Sequence, residues 1–166
     1  MDSAVSWPPG YRLVEGANAD RLRLISTMEK AYGELGATSL THIGPTVDRY
    51  FAAPSSLWWL ETNSSLAVSR IGFTAQTVEP VGCLWLGQSV DQLTGAPQAY
   101  VYLVYVALEH RRQGLGCALM TQARVWAQAQ GYHQLSLQVF TDNVAALKLY
   151  DSLGYQARAV WMTLDL

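Results

Sequence analysis

The stretch YVYLVYVALEHRRQGLGCALM, residues 100–120, changes character halfway along. From Tyr100 to Val106 almost every residue is aromatic or β-branched, which is strand composition. Further on, Leu115, Ala118, Leu119, Gln122 and Trp126 recur at helical spacing in a segment rich in Ala, Leu, Gln and Met. Between the two lie Arg111, Arg112, Gly114 and Gly116. A helix that starts there offers backbone N–H groups without internal partners and the positive end of its dipole. Glycines let an anion come close to that backbone, and two arginines add charge beside it. Residues 111–116 therefore read as an anion site. The plainer alternative is a glycine-capped helix with solvated arginines. A P-loop needs a lysine and a hydroxyl residue after the second glycine, and Cys117 and Ala118 stand there instead. A dinucleotide fingerprint needs a third glycine where Leu119 stands.

Upstream, Tyr11–Glu15 reads as a first strand. Asp20 is placed to cap a helix whose apolar positions are Leu22, Leu24, Ile25, Met28 and Tyr32, ended by Gly33 and Gly36. A second short helix is expected over Thr46–Ala53, stopped by Pro54. Strands follow at Ser56–Glu61 and Val81–Leu86. Between them Thr62–Glu79 holds another β-like run, Leu66–Phe73, and reads as an insertion. Asp91–Pro97 has turn chemistry around Gly95. Downstream, Gly131 closes the long helix, Leu135–Phe140 reads as a strand, and Val144–Leu153 as a helix closed by Gly154. Ala157–Leu166 alternates loosely and is expected to form a last strand. Helices mixed with strands in one stretch of this length predict a single α/β (α+β) domain over residues 1–166.

Asn143 and Tyr150 are seven residues apart, two turns of one helix, so they fall on nearly the same face. That face can offer an amide and a phenol to one ligand. Alternatively Asn143 caps the helix and Tyr150 packs in the core.

The segment Arg111–Gly116, with Val104-Tyr105-Val106 just upstream, resembles the acetyl-CoA motif of the GCN5-related N-acetyltransferases (GNAT). Residues 143–150, followed by Leu153-Gly154-Tyr155, resemble the same family's C-terminal motif. A family proline is replaced by Leu108. The resemblance covers the C-terminal half and implies a mixed, mostly antiparallel sheet of six to seven strands flanked by about four helices. It implies that the backbone of Val104, Tyr105 and Val106 pairs with the pantetheine arm. It also implies that Arg111, Arg112, Gln113, Gly114, Leu115, Gly116 and Cys117 hold the pyrophosphate, with Asn143 assisting. Tyr150 is then the general acid for the leaving thiolate, and acetyl passes from acetyl-CoA directly to a primary amine. A non-catalytic acyl-CoA-binding module is the alternative, and a nucleotide-phosphate binder of another fold a weaker one.

The general base has no obvious owner. Some relatives carry a glutamate where Gln138 stands, and Gln138 cannot take a proton. Others carry one on the strand before the motif, which here offers Tyr100, Tyr102 and Tyr105. Glu61, Asp91 and His42 read as solvated loop residues. For the acceptor side, Tyr50, Phe51, Trp58 and Trp59 read as core or as an aromatic wall, with Asp48 and Glu61 to attract an ammonium.

The net charge of −2 gives no reason to expect nucleic acid as a partner. Cys83 and Cys117 form no metal-binding spacing, so no metal is expected, and two free thiols suit a reducing compartment. The start of the chain lacks a signal-peptide pattern, and its longest apolar run, Ala99–Leu108, is half a membrane span. A cytoplasmic protein without membrane contact is expected. Its acceptor is a small-molecule amine or a peptide, and homodimerisation is left open.

Overall fold

The computed structural model describes residues 5–51, 55–63 and 79–166. Five strands form one mixed sheet among these residues: β1 (Tyr11–Glu15), β2 (Ser56–Thr62), β3 (Gly82–Val90), β4 (Pro97–Val106) and β5 (Leu135–Leu137). They lie in the order β1-β2-β3-β4-β5. The first four pair antiparallel, and β5 runs parallel to β4. Four α-helices flank the sheet: α1 (Arg21–Glu34), α2 (Ile43–Tyr50), α3 (Leu115–Ala129) and α4 (Val144–Ser152).

Two cores hold the layers together. On one face Leu24 and Met28 of α1 and Ile43 and Val47 of α2 pack on Trp59, Cys83, Trp85, Leu103 and Tyr105. On the other, Leu119, Met120 and Ala123 of α3 and Tyr150 of α4 pack on Leu84, Leu86 and Val101. Burial of these apolar side chains is the main drive for the sandwich.

Strand β4 carries a bulge. Trp85 of β3 pairs with Leu103 and Leu86 with Val101, so Tyr102 is an extra residue. Above it, Leu103 and Tyr105 face the α1/α2 side. Below it, Val101 faces the α3/α4 side. The ring of Tyr102 lies over Gly87, where an added Cβ would come within 2.4 Å of it. Gly87 is what gives that ring its place.

Among the described residues the sheet has fewer strands than expected. Leu135–Leu137 pairs with Ala99–Val101, but Gln138–Phe140 runs on unpaired. Ala157–Leu166 forms no strand, and Val160, Trp161, Met162 and Leu164 are exposed. Four apolar residues, Ala159 to Met162, run consecutively there, which is not the alternation of a half-buried strand. The expected run Leu66–Phe73, the interior of the supposed insertion and the helix end at Ala53 lie outside the described residues. Helix α2 starts three residues earlier than read. Pro45 sits in its first turn, where a missing N–H costs nothing. Leu22 is exposed, off the buried stripe of α1. Gly33 lies within that helix, which ends at Glu34 before Gly36. Asp20 stands at the N-cap position without capping α1, because its Oδ2 accepts from Ala17 N–H and from Trp59 Nε1.

Candidate functional site

The parting of β4 from β5 organises the site. Their pairing ends at Val101 and Leu137, so among the described residues β4 has no neighbour on that side from Tyr102 to Val106. Ala107 N–H donates to Val81 O on the β3 side. By the alternation of an antiparallel ladder, Tyr105 therefore turns its peptide groups to β3, while Val104 and Val106 turn theirs to the open edge. Val106 O accepts from Arg111 Nε at 2.7 Å.

The turn after β4 reaches α3 through two left-handed residues, Arg112 (φ 63) and Gly114 (φ 80). Gly114 is the N-cap and has no side chain to cap with. Ala118 N–H donates to Gly114 O at 3.0 Å and so starts the helical ladder. The N–H groups of Leu115, Gly116 and Cys117 precede that ladder and are available to an anion. Gly116 has a packing reason as well, since an added Cβ would stand 3.1 Å from Leu149 Cδ2 of α4. Leu115 is buried, Cys117 is exposed and Gln113 accepts from the Tyr11 hydroxyl at 3.0 Å.

The arginines differ. Arg112 is exposed at the turn. Arg111 points back to α1, where its guanidinium pairs with Glu34, and Glu34 also accepts from the Tyr105 hydroxyl at 2.7 Å. Burial first, and the Glu34 hydrogen bond second, push the Tyr105 phenol well above its ordinary range. Arg111 thus anchors the turn to α1, a role for Glu34 that its sequence context gives no sign of.

Asn143 caps α4, its Oδ1 accepting from Ala146 N–H at 3.2 Å. Tyr150 is 9% exposed in the α3/α4 core and lies 5.7 Å, centroid to centroid, from Tyr155. Both plainer alternatives, cap and core residue, therefore describe these side chains. Each still has polar capacity to spare: the Asn143 amide nitrogen donates to no described residue, and neither does the Tyr150 hydroxyl. Burial raises the Tyr150 phenol above its usual range, so it stays protonated at neutral pH.

On the opposite face lies a cavity of about 440 Å³, lined by Met28, Tyr32, Thr46, Tyr50, Trp85, Gln88, Ser89, Tyr100, Tyr102 and Gln138. Tyr50 stacks on Tyr102 at 5.0 Å, and Trp85 and Tyr100 lie 4.7 and 5.1 Å from the same ring. Burial raises the phenols of Tyr100 and Tyr102. They are neutral groups at pH 7, not bases. Of the expected aromatic wall only Tyr50 lines this cavity. Trp58 faces the other side against Trp126, Trp59 is core under the Arg23 guanidinium, and Phe51 packs edge-on against Trp85. Trp85, Tyr32, Tyr100 and Tyr102 take their place.

The expected carboxylates are committed elsewhere. Glu61 is a buried strand residue, not a loop residue, and pairs with Arg12 at 2.6 Å and Arg23 at 3.8 Å. Asp48 pairs with Arg21, which lowers its pKa. Asp91 accepts from the N–H groups of Leu93 and Thr94 in its turn. His42 packs edge-on against Tyr32 at 5.8 Å. Burial pushes the Cys83 thiol far up, as befits a core cysteine. No group of three metal-binding side chains occurs among the described residues, nor does a helix long and apolar enough to cross a membrane.

Comparison with known proteins gives these features a context. The sequence profile of the acetyltransferase (GNAT) family matches residues 28–155. N-acetyltransferase family 8 member 3 of Rattus norvegicus is 32% identical over 87 residues, covering 45% of this chain and 38% of that protein. The chain thus spans well under half of that relative's length. Among solved structures, a protein assigned as an acetyl transferase from Pyrococcus furiosus has TM-score 0.70 at 21% identity, covering 94% of this chain and 99% of its own. An aminoglycoside 6'-N-acetyltransferase from Acinetobacter haemolyticus has TM-score 0.63 at 16% identity, covering 93% and 99%. These two likenesses concern the fold.

Proposed function

Because the chain belongs to the acetyltransferase (GNAT) family, whose co-substrate is acetyl-CoA, we propose that residues 1–166 form one domain that moves acetyl from acetyl-CoA to a primary amine by direct transfer. One observation carries the reading: the free edge of β4 at Val104 and Val106 leads directly into the uncapped N–H groups at the start of α3. An edge strand suits the amide groups of a pantetheine arm, as in strand addition. A helix start suits a pyrophosphate. Arg112, Gln113, Gly114, Leu115, Gly116 and Cys117 provide the turn and its N–H groups; Arg111 holds that turn in place.

Transfer requires a neutral amine, and the departing sulfur requires a proton, since a free thiol titrates near pH 8.5. Tyr150 is the donor in this reading. Its phenol is protonated and has no partner to release among the described residues. The Asn143 amide nitrogen orients the thioester arm from the same helix. No carboxylate among the described residues lines the aromatic cavity, and in this reading the amine proton leaves through water.

That absence favours a second reading, an acyl-CoA-binding module without turnover. A thiol-release assay with a panel of amines, run beside thermal shift with acetyl-CoA, CoA and ATP, separates the two. Thiol release with stabilisation by CoA supports the transferase. Stabilisation by CoA without release supports the binder. Stabilisation by ATP and not by CoA overturns both.

A further inference from the structure

Among the described residues the aromatic cavity has no charge of its own: the ten that line it include no Asp, Glu, Lys or Arg. Glu34 of α1 and Asp48 of α2 are paired with Arg111 and Arg21, and Glu29 of α1 is exposed. A polycation finds no counter-charge there, and an anion finds no arginine. What the cavity offers is ring surface: Tyr50 and Tyr102 lie 28° from parallel, and Trp85 is tilted 33° to Tyr102. A planar ring extends such a stack at about 0.5–1.5 kcal/mol beyond its buried area. The wall also holds two orphans. Trp85 Nε1 and Ser89 Oγ are buried and hydrogen bond to nothing among the described residues. An indole N–H can only donate, so its missing partner is an acceptor.

We propose that this cavity takes a primary monoamine borne on a single aromatic ring, with a ring oxygen as the missing partner of Trp85 Nε1. The inference rests on the transferase reading for the fate of the amine, but not for its binding. Entry into an uncharged pocket disfavours the ammonium form, so desolvation helps to supply the neutral amine that no carboxylate is present to generate. The C–N bond then forms as the C–S bond breaks. Tyr150 gives its proton to sulfur and regains one from the amine nitrogen through water.

The test compares tyramine, 2-phenylethylamine, hexylamine, spermidine and tobramycin in thiol release, with calorimetric binding of tyramine measured in parallel. The expected kcat/KM is at least about tenfold higher for the two aromatic amines than for spermidine or tobramycin, the size of one ring contact together with the absent counter-charge. Tyr102→Ala raises the aromatic amines' KM severalfold. Gly87→Ala does the same without facing the ligand, because its Cβ displaces the Tyr102 ring. Should Tyr102→Ala fail to fold, Trp85→Phe carries the same question, since it erases the advantage of tyramine over 2-phenylethylamine. Preference for spermidine or tobramycin, or aromatic amines indifferent to these substitutions, overturns the proposal. Tyramine that binds and loses affinity in the variants, yet releases no thiol, upholds the ligand class and overturns the transferase reading. Failure of tyramine to bind overturns the ligand class, whatever other amine is turned over.

Discussion

The C-terminal end and the middle of β4 border two different kinds of site. At its C-terminal end the donor side is made of backbone: the edge of Val104 and Val106, the left-handed turn at Arg112 and Gly114, and the first N–H groups of α3. At its middle the acceptor side is made of side chains from four elements: Tyr32 of α1, Tyr50 of α2, Trp85 of β3, and Tyr100 and Tyr102 of β4. A backbone site needs only the right dihedral angles over a few consecutive residues, so it leaves a short motif. A side-chain site needs a fold to bring distant residues together, and it leaves none. The difference also implies separability: changes on one side should leave the other's constants alone.

The sharpest way to break that separation is at Tyr150, which the reading assigns to the transfer itself. Tyr150→Phe is expected to lower kcat about 100-fold, the low end of what general acid catalysis contributes. KM for acetyl-CoA should hardly move. Steady-state kinetics decide it, and an unchanged kcat removes Tyr150 from the chemistry.

The donor side alone is addressed by Gly114→Val. A β-branched residue is strained at φ 80. Acetyl-CoA affinity should fall about tenfold, equivalent to about 1.4 kcal/mol, with tyramine binding unaltered by calorimetry. An equal loss for both ligands would show the two sites to be one mechanical unit.

Glu34 is where they meet, for it ties α1 to Arg111 and to Tyr105. Glu34→Gln should cost about 1 kcal/mol, a typical hydrogen-bond loss, seen as a melting temperature lower by a few degrees. A matching rise in acetyl-CoA Kd would mean that the anchor also sets the turn.

The smallest effect is alkaline. The phenols of Tyr100, Tyr102 and Tyr150 are raised by burial, and that of Tyr155 is pushed up to about 12. For groups raised in the folded state, the unfolded chain ionises first. Stability should be flat below pH of about 10, the ordinary tyrosine value, and fall as pH rises towards 12. Thermal melts between pH 8 and 12 test this, and Tyr155→Phe should flatten the fall.

Legibility in the sequence followed the same divide. The turn at Arg111–Gly116 and the helix at Val144–Leu153 were readable because glycine, asparagine and the apolar period act locally. Strand β1 was legible to the residue, and Tyr150 was placed on its helix. The partner of Arg111 is not legible, because nothing near it in sequence announces Glu34, seventy-seven positions away. Which aromatic residues line the cavity is illegible for a like reason. Trp58 and Trp59 are equally aromatic, and only strand pairing decides which face each takes. Trp85 is one residue of the strand read at Val81–Leu86, and Gly87 gives no signal, since its meaning lies in the ring of Tyr102 above it. The last strand failed because composition suggested it while no sheet edge pairs with it.

The bulge at Tyr102 amounts to a phase slip of half a period. On a regular strand Tyr100, Tyr102, Val104 and Val106 would share one side. With one residue inserted, the two tyrosines turn to the α1/α2 layer while the two valines pack on the α3/α4 layer. A single repetitive string of tyrosines and valines is thereby divided between two layers. Deleting Tyr102 would leave Tyr100 and the two valines on the layers they now face, and would take away the ring that roofs Gly87.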